Sequence, residues 1–572
     1  MKALRMLILS VLIVSIASCN LPLETVPSVE PTIEPASPVP KQPKPATSVP
    51  SPAEHRIAVR VVNGVGEFYH RLTGEKFVPR GMNYIRLGPQ TKMDGSPTFG
   101  HSFFDPGQYD SLRISGDLSK MHADGYNVVR VFLSPDTMGT AAGGFSTAYM
   151  KNIVEFLKLA ETNKLYVMFT LDWIPGGKYG DILSADCCST FALMNANFLP
   201  PAGLKANQAF YQDFAKELVR LDAPTEYIFS YQLRNEMFYD TDQPPLSLDS
   251  GFVTTANGKS YDMSKPSDKD LMVKENLVYW IDGMRAAILE ADPTALVSVG
   301  FFHPQQPNPS RIGDPRLAVT EPAIWQSKAD FIDLHAYPGF DLSLKQYVEN
   351  FGVNGMEEKP IIIGEFGGEV ARFVSLDAAA QRFVNWQAES CQYGFDGWIF
   401  WTWDLSEQPD FLNAKMDGGK IEQALSPVLR PDPCATNSND ETNLAFGKQA
   451  TSSNFLADQP SSNAIDDAPE TVWSAGADPE QWIEIDLGNP STITTVRLTI
   501  AQYPAGATDH QLWVREPSGN LKLIHEFKGS TKDGQVLEFI PEAPLTGIQF
   551  IRIVTISSPS WVAWREIEIL GN

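Results

Sequence analysis

Between residues 78 and 425 the chain switches eight times from a short β-branched or aromatic run to a stretch with helical spacing. No other feature limits the fold as much, because strand followed by helix, repeated, builds a parallel sheet covered by helices. Strands are predicted at 78–84, 127–133, 165–171, 227–233, 296–299, 331–334, 360–363 and 397–400. Helices are predicted at 112–123, 150–163, 209–221, 271–291, 377–390 and 421–425, with helical patterns in the remaining gaps. Asp292-Pro293 stops the fourth of them. Eight such units predict an α/β fold, a TIM (β/α)8 barrel. A doubly wound sheet is the rival, but no Gly-rich phosphate loop follows any of these strands. Residues 56–80 read as a polar hairpin with turn signals at Asn63-Gly64 and Thr73-Gly74. Its place in the chain suits a plug for the bottom of the barrel.

Active sites of such barrels gather at the carboxyl ends of the strands. The fourth predicted strand flips in polarity to Arg234-Asn235-Glu236, and the seventh runs into Gly364-Glu365. One Asn-Glu pair alone could simply cap a loop. Two glutamates on two strand ends supply what a retaining glycosidase needs. Arg130 lies within the second strand, His335 and Tyr337 follow the sixth, and Trp401 ends the eighth. Arg130 alone could be a structural ion pair, and His335 with Tyr337 a packed polar pair. Their shared address with the glutamates favours the site. Trp401 and Trp403 alternate, so one faces the interior and the other the helices; Trp403 is assigned to the core.

The motifs Arg80-Gly-Met-Asn83, Asn127-Val-Val-Arg130, Asn235-Glu236, His335-Ala-Tyr337, Gly364-Glu365-Phe366-Gly367 and Phe400-Trp401 occur in this order along the barrel. In this the chain resembles glycoside hydrolase family 5 and its clan A relatives. The resemblance implies that Glu236 is the acid/base, a role that requires it to hold a proton, and that Glu365 is the nucleophile. It implies that Asn235 donates to the sugar 2-hydroxyl and that Arg130 and Tyr337 hold Glu365 ionised. His335 would orient the acid or the substrate, and a pyranose would stack on Trp401. The family usually carries a His after strand three. Here that region reads Phe169-Thr-Leu-Asp172-Trp173, so Asp172 or Trp173 is expected to stand in for it. The insertions at 175–204 and 238–269 are expected above the mouth, where Trp173, Tyr179, Phe238 and Tyr239 would shape substrate choice.

With 572 residues the chain exceeds one ordinary domain. Residues 1–19 read as a signal: Lys2 and Arg5, an apolar run over 6–16, then Ile16-Ala17-Ser18-Cys19. Those last four residues resemble the bacterial lipobox, which implies cleavage before Cys19 and lipidation of its thiol. Ordinary signal cleavage is the alternative. Residues 20–55 are rich in Pro, Ser and Thr and predict a disordered tether. The barrel is assigned 56–430, a linker 431–441 and a second domain 442–572. A net charge of −24 argues against nucleic acid and anionic membranes as partners. Of five Cys, Cys187, Cys188, Cys391 and Cys434 remain for disulfides or stay free, and none has zinc-site spacing.

After the linker the chain is all β in character, with alternating strands at 481–487, 494–500 and 550–554. A jelly-roll β-sandwich is predicted. Asn443-Leu-Ala-Phe-Gly-Lys-Gln-Ala-Thr451, Ala464-Ile-Asp466 through Trp473, Trp482-Ile-Glu-Ile-Asp-Leu-Gly488 and Glu566-Ile-Glu-Ile-Leu570 resemble the discoidin, or coagulation factor 5/8 type C, domain. In bacteria such modules are often carbohydrate-binding module family 32. The resemblance implies a structural calcium, for which Asp466, Thr471 and Glu566 offer hard oxygen ligands; turn capping is the other reading of these residues. Trp473 and Trp482 are assigned to the core.

Together these readings predict a lipid-anchored, extracytoplasmic, monomeric glycosidase acting on β-mannan or β-glucan without a catalytic cofactor. Two rivals remain: a non-catalytic glycan-binding surface protein, and a transglycosylase using the same glycosyl-enzyme. The presence of both glutamates opposes the first.

Overall fold

The computed structural model describes residues 52–571, except 93–94, 187–189, 303–311, 339–341, 374, 406, 432, 435–441, 467, 469–470 and 516–518. The signal, Cys19, most of the tether and the linker, and Cys187 with Cys188 lie outside the described residues.

Eight parallel strands close into a barrel: β1 (Arg80–Asn83), β2 (Val128–Phe132), β3 (Tyr166–Thr170), β4 (Ile228–Gln232), β5 (Val297–Phe301), β6 (Phe331–His335), β7 (Ile361–Gly367) and β8 (Phe395–Trp401). They pair in chain order, and β8 closes on β1. The helices between them are α1 (Ser111–Ala123), α2 (Thr147–Thr162), α3 (Pro201–Arg220), α4 (Pro266–Ala291), α5 (Glu321–Trp325), α6 (Leu344–Phe351), α7 (Leu376–Cys391) and α8 (Met416–Leu425). Helices α3 and α4 begin earlier than their hydrophobic spacing suggests. Both open on a proline in the first turn, where the missing N–H costs nothing.

Strand alternation divides the interior into layers. On β2, Val128 faces the bottom, Arg130 the middle and Phe132 the mouth, while Val129 and Val131 face the helices. The N-terminal hairpin, Ile57–Val62 paired with Val65–His70, pushes Ile57 and Phe68 against the bottom layer of Val128, Met168, Phe229, Phe331, Ile362 and Ile399. It plugs the barrel as its place in the chain suggests.

A second hairpin, Leu87–Thr91 with Pro97–His101, follows β1. Its Gly and Pro content hides it from β-propensity. The insertion at 175–204 folds into two short helices, Lys178–Leu183 and Leu193–Phe198. That at 238–269 carries a hairpin, Phe252–Thr254 with Ser260–Asp262. Tyr179 and Tyr239 are core residues and not part of a substrate surface, which corrects their expected role. Both are 1% exposed, with hydroxyls on Asp213 Oδ2 and Val273 O.

The C-terminal domain is antiparallel and all β. The strand Gln481–Ile500 spans what reads as two strands in the sequence. Its first half pairs with Leu545–Ser557 and its second with Ala563–Gly571, with a register shift between. Trp473, Ile483, Ile485, Leu498, Ile553, Trp564 and Ile567 form the core. Trp473 is core as expected. Trp482 is not: it is partly exposed, with the Arg552 guanidinium 4.0 Å from its ring centroid. Glu484 on the same strand holds that arginine.

Candidate active site

The centre of the site is Arg130, fully buried on β2. Its Nη1 donates to Glu365 Oε1 at 2.6 Å and to Asn83 Oδ1 at 2.7 Å. Nη2 donates to Asn235 Oδ1 at 2.6 Å and Gln232 Oε1 at 2.7 Å. One planar fork from β2 thus fixes side chains from β1, β7 and the end of β4.

Glu365 reaches this fork through a break in the strand. On β7, Ile361 and Ile363 face the helices and Ile362 the interior. Strict alternation would send Glu365 outward with Ile361 and Ile363. The pairing with β6 slips instead, so that Leu334 opposes Ile363 but His335 opposes Glu365, and Gly364 bulges. The bulge turns Glu365 into the barrel beside His335. A Cβ on Gly364 would lie 2.0 Å from Asp333 Oδ1, so only glycine fits there.

Asn235 and Glu236 follow β4 in a segment tied down on both sides. Asn235 N donates to Leu171 O at 2.9 Å, and Met237 N to Gly300 O at 2.8 Å. A Cβ on Gly300 would lie 2.0 Å from Asn235 O. Glu236 Oε1 accepts from His335 Nδ1 at 2.9 Å. Tyr337 OH donates to Glu365 Oε2 at 2.7 Å. One carboxylate oxygen from each of Glu236 and Glu365 and a ring nitrogen of His335 lie within 4.8 Å of one another.

The charges interlock. Burial works against a proton on His335, but Glu365, Asp333 and Glu236 push its pKa up to about 10. Burial pushes Glu365 above the usual carboxylate range, while His335, Arg130 and Tyr337 pull it back. Tyr337 is driven well up by burial and by Glu365, so it remains a hydroxyl donor. Among the described residues, Glu236, His335 and Glu365 are the one set of three or more His, Cys, Asp or Glu side chains that converges closely enough to hold a metal. The Arg130 guanidinium on Glu365 and the proton on His335 already supply positive charge there, so the trio suits proton transfer better than a cation.

Because the pKa of His335 is raised above 6.5, its stabilising charge is fully present below pH 6.5 and is lost as pH rises through about 10. Unfolding temperatures measured from pH 6 to 10 should fall more steeply for wild type than for His335→Asn. Parallel curves would contradict the assignment of that proton.

Asp172 sits at the rim, with Oδ1 accepting from Asn235 Nδ2 at 3.1 Å. A histidine does stand beside it. His101, from the hairpin after β1, places Nε2 3.7 Å from Asp172 Oδ2 and stacks on Phe132 at 3.9 Å between centroids. Its carbonyl accepts from Ser134 Oγ and Gln90 Nε2. Burial pushes its imidazole down to about 4, against the pull of Asp172 and with help from Arg130. No signal in the strand pattern points to His101, because it comes from an insertion. Trp173 is 47% exposed, with the Arg234 guanidinium 4.9 Å from its ring centroid. Phe238 lies beside Arg234 and Arg316. Trp401 is 9% exposed and packs edge-on to Phe132 at the mouth, while Trp403 is fully buried. Asn83, Gln232 and Asp333 also belong to the site. Gln232 Nε2 donates to Asp333 Oδ2, so the residues that hold Arg130 are themselves held.

A closed (β/α)8 barrel with two glutamates across its mouth defines a glycosidase, here joined to an antiparallel β domain. Residues 90–407 match the cellulase family, glycosyl hydrolase family 5, and the chain belongs to it. Residues 449–567 match the F5/8 type C domain. Among solved structures the chain is similar to the exo-β-1,4-mannosidase Op5Man5 from Opitutaceae bacterium strain TAV5, with 18% identity and a TM-score of 0.43. That match covers 65% of this chain and 62% of the mannosidase. The β domain is similar to chitosan-binding module 1 of a chitosanase/glucanase from Paenibacillus sp. IK-5, with 27% identity, a TM-score of 0.20, and 23% of this chain and 99% of the module covered. It is also similar to the family 32 carbohydrate-binding module of C. perfringens NanJ, solved with galactose, with 16% identity, a TM-score of 0.21, and 23% and 98% covered. No curated protein matches.

Proposed function

We propose that the protein hydrolyses β-linked polysaccharide or oligosaccharide, of the β-mannan or β-glucan class, by double displacement. The observation that carries this is spacing. Oxygens of Glu236 and Glu365 lie within 4.8 Å of each other. Retaining enzymes hold their carboxyl groups about 5–5.5 Å apart, whereas inverting ones need about 6.5–9.5 Å to admit water.

Each residue then has a task. Glu365, gripped by Arg130 and Tyr337, attacks the anomeric carbon from inside the barrel. Glu236, the more exposed of the two, protonates the departing oxygen and later activates water. Arg130 fixes Asn235 through its Oδ1 and Asp172 takes one Nδ2 proton, which leaves the other to donate to a sugar 2-hydroxyl. Trp401 offers a face for the ring. Incubation with a panel of β-glucans, mannans and xylan, with products sized, tests the reading. No release from any of them would refute it.

The oxygens around Asp466, Thr471 and Glu566 fit a calcium ion. Thr471 Oγ1 has only one proton, yet Asn463 O, Ala468 O and both Asp466 carboxylate oxygens lie 2.9–3.1 Å from it. Ala468 N also donates to Asp466 Oδ1 and Glu566 Oε2, so turn capping occurs at the same place. More acceptors than protons is a cradle for a hard cation, which would tie Asn463, Asp466 and Thr471 to the strand that bears Glu566. Chelator should lower the unfolding temperature by roughly 5–15 °C, with recovery on adding calcium. An unchanged temperature would exclude the ion.

We also propose export and lipid anchoring at Cys19. The Cys391–Cys434 disulfide suits an oxidising compartment. Among the described residues no helix is long and apolar enough to cross a membrane. Cys19→Ser should move the protein from the membrane fraction to the soluble one, and no change in distribution would refute the anchor.

A further inference from the structure

The β domain lies along helix α7, which it meets at two points, and a disulfide ties the linker to the end of that helix. At its start, Ser375 Oγ donates to Gly534 O at 3.3 Å. About three turns on, Asn385 Nδ2 donates to Glu568 Oε1 at 2.9 Å. At its end, Cys391 is bonded to Cys434, within the linker. The spacings agree. From Ser375 to Asn385 a helix rises about 15 Å. Glu538 and Glu568 both pair with Arg497, so they stand at one level of the sheet. From Gly534 to that level a strand runs about 13 Å. Helix and sheet therefore lie side by side.

The direction follows from the barrel. α7 descends from the carboxyl end of β7, so Ser375 stands on the mouth side. The 532–535 loop that meets it shares one end of the β domain with two others. Gly534 N donates to Ile500 O at 2.9 Å, and Gln502 N to Asp533 Oδ1 at 3.2 Å, which ties in the 501–505 loop. Arg565 Nε donates to Asp533 Oδ1 at 2.9 Å, next to the 558–562 loop. A Cβ on Gly506 would meet Pro559 at 3.1 Å, so the latter two loops touch. They carry Tyr503, 90% exposed, and Trp561, 54% exposed. Two large rings held out to solvent on adjoining loops offer flat apolar faces with polar edges, which suits pyranose rings.

We propose that Tyr503 and Trp561 form a sugar-stacking platform on the mouth side of the barrel, and that one β-linked polysaccharide chain engages both this platform and the catalytic cleft. The proposal rests on the glycosidase reading above. Docking on α7 fixes the span between the two sites, so a chain held at one is presented to the other at high effective concentration.

The test uses the full-length protein carrying Tyr503→Ala and Trp561→Ala. Both side chains are exposed, so an unchanged unfolding temperature is the control for folding. The ratio of kcat/KM on a long β-mannan or β-glucan to that on an aryl glycoside of the same sugar should fall about tenfold or more. A second protein, with Asn385→Glu set against Glu568 and Cys391→Ser with Cys434→Ser, releases the domain but keeps both rings. Its ratio should fall too. An unchanged ratio in either protein overturns the proposal. Mobility in gels containing the soluble polysaccharide reads the platform without catalysis. Wild type should be retarded more than the Tyr503→Ala/Trp561→Ala protein, and equal mobility overturns the proposal. If that difference in mobility is found in a protein that cleaves no glycoside, the platform stands and the glycosidase reading falls.

Discussion

Replacing Glu365 with alanine should lower kcat on the order of 10⁴-fold or more on every glycoside, because no other group can form the covalent intermediate. The loss should not depend on the leaving group. Glu365 is 4% exposed and bonded to both Arg130 and Tyr337, so the variant leaves a small cavity beside two donors. Azide can enter there and attack the anomeric carbon from the face that Glu365 used. One displacement then replaces two, and the glycosyl azide should have inverted configuration. Azide rescue with retained configuration would assign the nucleophile elsewhere.

Replacing Glu236 with alanine should act selectively. On polysaccharide, where the departing oxygen needs a proton, the loss should be about 10²–10⁴-fold. On an activated aryl glycoside the first step needs little protonation and should survive. The second step lacks its base, so the glycosyl-enzyme should accumulate and appear as a burst. Azide needs no base, so it should restore turnover with retained configuration. Swapped stereochemistry between the two rescues would exchange the roles of Glu236 and Glu365. Full polysaccharide activity in both variants would remove the site from the mouth.

Much of this site is legible in the sequence because burial and polarity change abruptly at the strand ends. Tyr227 to Glu236 is the plainest case: a strand buried on both faces cannot end in Arg-Asn-Glu without those groups meeting water or one another. Arg130, alone among valines, is legible for the same reason. Glu365 is found by its neighbours in the sequence, but period-two alternation would place it on the wrong face. Only the bulge at Gly364 brings it inside, and that glycine reflects its contact with Asp333, which no local pattern reports. His101 was out of reach because its partners, Phe132 and Asp172, lie on other elements. Tyr179 and Tyr239 escape the sequence reading because insertions of this length pack into the barrel's own core and do not serve only as a lid. Trp482 is apolar enough to read as buried, but its ring is partly exposed and lies beneath Arg552.

The central claim is double displacement across the Glu236–Glu365 pair. The most direct measurement is proton NMR of the anomeric region during the first minutes of wild-type hydrolysis of a β-linked oligosaccharide, before mutarotation. Two displacements should release the β-anomer first, with the α-anomer growing in only as the sugar equilibrates. If the α-anomer appears first, a single displacement by water is at work, and the assignment of Glu365 as nucleophile is wrong.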